Sequence, residues 1–133
     1  MERLKARLAM AQRALGTFEE LTGLASPTRV ERDAAIQRFE YTFEACWKAA
    51  QRYLLVVEGL SVGAPKGCVR ACREVGLLAD AQAVLGLEMV DDRNLTVHTY
   101  NEAVAEQIFR NLDRYAKLLA HWLSVMEARI ESE

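Results

Sequence analysis

The stretch Thr28–Gly59, TRVERDAAIQRFEYTFEACWKAAQRYLLVVEG, decides the fold. Its apolar residues Ile36, Phe39, Phe43, Cys46, Trp47, Ala50, Tyr53, Leu54 and Val57 recur at three- and four-residue intervals. That period is the signature of one face of an α-helix. Thr28 and Glu31 have the spacing of a capping box, in which a threonine hydroxyl and a glutamate satisfy each other's free backbone N–H groups. Gly59 marks the end. At 1.5 Å per residue the helix is about 45 Å long.

Outward from this helix the same period repeats. Leu4, Leu8, Ala11, Leu15, Phe18 and Leu21 predict an amphipathic helix over 2–23, ended by Gly23 and Ser26-Pro27. Two long helices joined by a short turn make an antiparallel hairpin. After the loop Ser61–Ala64, Pro65 suits the first turn of a short third helix closed by Gly76. Asp80 is placed to cap a fourth helix, with Val84, Leu87 and Val90, or Leu85 and Met89, facing inward. That helix falters near Arg93, where the β-branched Thr96, Val97 and Thr99 cluster. Thr99–Glu102 reads as a second capping box, and a fifth helix then runs to about Ile130. No strand pattern and no internal repeat is visible. The expected fold is all-α, an up-and-down four-helix bundle with one additional short helix, as a single domain over 1–133.

The chain of 133 residues carries a net charge of −2, with acids and bases interspersed and no basic tail or stripe. Any contact with nucleic acid must therefore come from a local patch. No apolar run approaches a membrane span, and the start lacks the apolar block of a signal peptide, so a cytoplasmic protein is expected. Cys46, Cys68 and Cys72 are an odd set, read as small buried apolar residues. No metal or cofactor is expected. The aromatic residues Phe39, Phe43, Trp47, Tyr53, Phe109, Tyr115 and Trp122 fall at core spacing, and His121 at a packing or surface position.

Chemistry concentrates at Arg93–Tyr100. On one unbroken helix Arg93 and His98 would point about 140° apart. A break between them removes that obstacle. Arginine offers a permanent charge with a planar fork of donors, histidine a proton carrier near neutrality, and a helix N-terminus partial positive charge. Together they suit a phosphate. Spacing alone leaves open that Arg93 pairs with Asp91, Asp92 or Glu88 and that His98 merely caps a loop.

The longer string Asp92-Arg93-Asn94-Leu95-Thr96-Val97-His98-Thr99-Tyr100-Asn101-Glu102 resembles the signature of the HEPN superfamily, in its branch of nucleotidyltransferase substrate-binding proteins. Phe39–Lys48 resembles that branch's second helix, and the likeness extends over about residues 30–110. The resemblance implies a bundle that dimerises with its Arg-to-His motifs facing one cleft, within a complex with a small nucleotidyltransferase. It implies Arg93 and His98 as the catalytic pair, Asn94 as the polar residue beside the arginine, and Tyr100 as the tyrosine that receives AMP. Tyr41 and Glu44 are candidates to line the cleft. Two functions follow from the resemblance. The chain is a binding partner that presents this cleft to the transferase, or it is a metal-independent ribonuclease toxin restrained by it, acting on RNA.

Overall fold

The computed structural model describes residues 1–132. Five α-helices and one 3-10 turn follow in order: α1 (Glu2–Glu19), α2 (Arg29–Val57), α3 (Pro65–Glu74), α4 (Asp80–Leu95), the turn Thr96–His98, and α5 (Glu102–Glu131). The fold is an all-α helical bundle, and among the described residues there is no strand.

The capping box at the head of α2 is formed: the Thr28 hydroxyl accepts from the Glu31 N–H at 3.0 Å, and Glu31 accepts from the Thr28 N–H at 2.8 Å. α1 and α2 are antiparallel, because the earlier Arg38 of α2 reaches the late α1 carbonyl of Thr17, while the later Thr42 reaches that of Ala14. α2 and α5 run side by side in the same direction, tied at their starts by Arg32–Glu102 and at their ends by Glu58–Arg129. Between those ties Phe39 stacks on Tyr115, ring centroids 5.5 Å apart, with Phe18 and Phe43 against Phe39. α4 returns antiparallel to α5 and packs on it and on α3. α3 and α4 approach closely at Gly86, where a Cβ would lie 3.0 Å from Val69 Cγ1 and would require that side chain to give by a few tenths of an ångström.

All three cysteines are buried and free. Phe39, Phe43, Trp47, Tyr53, Tyr115 and Trp122 are core residues, whereas Phe109 is only partly covered and His121 is exposed. Several boundaries differ from the sequence expectation. α1 stops at Glu19, and Leu21 packs on the core from the turn that follows. The residue capping α4 is Ala79, whose N–H is taken by the Gln82 side chain at 2.8 Å; Asp80 is the first helical residue. Val84 is exposed, and the buried stripe of α4 runs through Ala83, Gly86, Met89, Val90 and Asp92. The cap of α5 is Asn101, whose Oδ1 accepts from the N–H groups of Ala103 and Val104. Glu102 is thereby released from a capping role and pairs with Arg32 instead. No helix among the described residues is long and apolar enough to cross a membrane.

Candidate functional site

The break that separates Arg93 from His98 is made by Thr96. Its hydroxyl and its N–H both turn back onto the Arg93 carbonyl, the hydroxyl at 2.7 Å, so the α-helical ladder closes there and one 3-10 turn follows. Asn101 then restarts a helix, its N–H bound to the His98 carbonyl at 3.0 Å.

Arg93 does not pair with its own helix. Its Nη2 lies 2.8 Å from Oε2 of Glu44 on α2, and the same oxygen accepts from Trp47 Nε1 at 3.0 Å. The guanidinium carbon sits 5.4 Å from the centre of the Phe43 ring. Asp91 pairs with Lys66 at 2.7 Å. Asp92 points inward: its Oδ2 accepts from the Tyr115 hydroxyl at 2.6 Å and from Asn111 Nδ2 at 3.0 Å. Burial, then the neighbouring Asp92 carboxylate, hold the Tyr115 phenol far above its ordinary range, so it remains a donor. Asp92 thus locks the turn of α4 that carries Arg93. From sequence, Asp92 stands only as a possible partner of Arg93. The signal was its place on the stripe Leu85–Met89–Asp92–Thr96, where a carboxylate must find buried donors.

Arg93 lines a cavity of about 580 Å³ with Arg7, Met10, Gln37, Glu40, Tyr41, Glu44, Ala45 and Lys48. Tyr41 and Glu44 therefore share this space with Arg93. Partial desolvation raises the Glu40 carboxyl above the usual range, against the opposing pull of Arg93 and Thr96. His98, Asn94 and Tyr100 are not among the lining residues. All three are exposed, and His98 instead meets Tyr100: Nδ1 and the phenol oxygen are 3.1 Å apart, the rings edge to face. Tyr100 is 81% exposed. The structure joins His98 to Tyr100 and Arg93 to Glu44, and His98 does not line the cavity that Arg93 lines.

Just beyond the loop, the nearly buried Arg32 donates from Nη1 to Glu102 Oε2 at 2.7 Å and also holds Asp33. This pins the start of α5 to the start of α2. The Arg32 guanidinium holds the Glu102 carboxyl below the usual carboxylate range. A depressed carboxyl stabilises the fold above its unfolded pKa and loses that contribution as pH falls through the folded pKa. The melting temperature of Glu102→Gln should lie below wild type at neutral pH, and the gap should close on acidification below the ordinary glutamate range. The site is exposed, so the gap is modest. A gap independent of pH would show that the pair contributes nothing through its charge.

A model of the family described as nucleotidyltransferase substrate binding protein like matches residues 6–128. The chain belongs to that family. No similar sequence was found among curated proteins. Among solved structures, a Thermus thermophilus protein is 59% identical, with a TM-score of 0.86 over 87% of this chain and 98% of that one. A chain in the structure of the tri-AMPylated Shewanella oneidensis HEPN toxin in complex with MNT antitoxin is 16% identical, with a TM-score of 0.76 over 94% and 96% of the two chains. Haemophilus influenzae HI0074, described as the fold of a substrate binding domain of a nucleotidyltransferase, is 20% identical with a TM-score of 0.62 over 95% and 98%. At such identities the latter two share the fold of this nucleotidyltransferase substrate-binding family member. Among the described residues no group of histidine, cysteine and carboxylate side chains is placed to hold a metal ion.

Proposed function

We propose that this chain is the cytosolic substrate-binding partner of a small nucleotidyltransferase, and that Tyr100 is the residue on which the transferase places AMP. One observation carries the reading: the phenol of Tyr100 stands out from the surface with its oxygen 3.1 Å from His98 Nδ1. With the proton on Nε2, Nδ1 accepts from the phenol. The phenol oxygen attacks the α-phosphorus of ATP held by the transferase, pyrophosphate leaves, and the phenolic proton passes to His98. Val97, 73% exposed beside the loop, offers the transferase an apolar contact. The family membership and the likeness to a chain in the structure of a tri-AMPylated HEPN toxin with its MNT antitoxin support the same assignment. The test is co-expression with the cognate transferase followed by intact-mass measurement. Wild type should gain the mass of AMP and Tyr100→Phe should not. An adduct that persists in Tyr100→Phe would overturn the assignment.

A second reading, a metal-independent ribonuclease, is favoured by Arg93 standing in a roomy cavity with Arg7 and Lys48. In it, Arg93 stabilises charge on the phosphate, Asn94 adds a polar contact, and His98 moves the proton of the attacking 2′-hydroxyl or of the leaving oxygen. Since His98 does not line the Arg93 cavity of its own chain, this chemistry calls for a homodimer in which a second copy presents its His98. Mixing inactive Arg93→Ala and His98→Ala chains should then restore cleavage in chelator, and failure to do so would remove the shared site.

A further inference from the structure

The chain shows no basic stripe in sequence, yet the fold assembles one. Arg3 and Arg7 stand one turn apart on α1, and Lys48 and Arg52 one turn apart on α2. The two helices are antiparallel, so the pairs form two facing rows. All four side chains line a second cavity, of about 140 Å³. Arg7 and Lys48 also line the Arg93 cavity, so the two spaces meet at these residues. Among the described residues none of the four is ion-paired, which is equally true of Arg13, Arg70, Arg110 and Arg114; what sets the four apart is that they share one cavity. The Nε of Arg52 is buried without any acceptor from the chain.

We infer that this row is the track for a single-stranded RNA leading into the Arg93 cavity. Successive phosphates lie along Arg3, Arg52, Arg7 and Lys48, and a base stacks on Tyr41. The inference rests on the ribonuclease reading. Two features favour RNA over an acidic protein surface. The track ends at Arg93, a residue suited to phosphate. The exposed Tyr41, its hydroxyl held by that of Thr17, places an aromatic ring at the end of the row, and cations interleaved with aromatic rings are how sequence-tolerant single-strand binding is built.

The test measures fluorescence anisotropy of a labelled single-stranded oligoribonucleotide against full-length protein across a salt series. The parent carries His98→Ala so that the RNA stays intact. Replacing Arg3, Arg7, Lys48 and Arg52 together by Gln should weaken binding at least about tenfold and lower the slope of log affinity against log salt by about 3. A control with Arg13, Arg70, Arg110 and Arg114 replaced by Gln has the same net charge and should bind almost as the parent does. Should the fourfold variant melt early, the exposed Arg3→Gln alone should still lower the slope by about 0.7. Equal losses in both fourfold variants, or none in the track variant, would overturn the inference. So would loss of transferase binding, in place of RNA binding, on neutralising the track. Cleavage by wild type in chelator is scored separately. If RNA is cut but the track variants bind normally, only the track falls; if RNA is bound through the track but never cut, the catalytic reading falls and the track stands.

Discussion

Replacing His98 by alanine should slow AMP transfer to Tyr100 by about a hundredfold or more while leaving the melting temperature within about 2 °C of wild type. The imidazole is exposed and its contact is to the Tyr100 phenol, so its removal opens no cavity in the core. What is lost is the acceptor for the phenolic proton. A phenol is a poor nucleophile while protonated, and a positioned base contributes on the order of a hundred- to ten-thousandfold. The rate should be read under saturating transferase and ATP, so that binding between the two proteins does not limit it. Added imidazole should restore part of the rate in His98→Ala and none in Tyr100→Phe. A His98→Ala variant modified at the wild-type rate would show that the transferase supplies its own base and that the 3.1 Å contact is incidental.

The second large effect concerns stability. Asp92→Ala should lower stability by about 3 kcal/mol, or roughly 10 °C in Tm for a chain of this size. The carboxylate is buried and accepts from both Tyr115 and Asn111. Its removal leaves the Tyr115 hydroxyl, deep between α4 and α5, without an acceptor, and the cost of an unmet buried donor exceeds the modest net value of the bond itself. Asp92→Asn retains an oxygen of the same reach and should cost about half as much. The substitution should also weaken function, because the α4 turn anchored by Asp92 is the one that sets Arg93 against Glu44. Thermal unfolding of both variants checks the order. An alanine variant as stable as wild type would mean that water replaces the carboxylate and that the anchor is dispensable.

The long helices were legible because their signals are local. The capping box at Thr28 and Glu31 and the run from Ile36 to Val57 depend only on neighbours a turn away. The break after Arg93 was legible for the same reason, since Thr96 ends the helix by bonding a carbonyl three residues back. Caps were less legible where two polar residues compete. Thr99 and Asn101 both qualify at the head of α5, and Asn101 prevails while Glu102 is drawn off to Arg32 on α2. Within the site, Arg93 offered three acids on its own helix, and its partner came instead from a residue 49 positions away.

The amino-acid order by itself determined an all-α bundle, the faces that α1 and α2 bury, and the place where the fourth helix must stop, because helical periodicity and caps act over a single turn. Only the tertiary structure decided which charges meet. Glu44 faces Arg93, Asp92 goes inward to Tyr115, and Arg3, Arg7, Lys48 and Arg52, scattered among acids along the chain, come to line one cavity. The physical reason is that a charge's partners are set by which helix packs beside it and at what register, and neither is written within a turn of the residue itself.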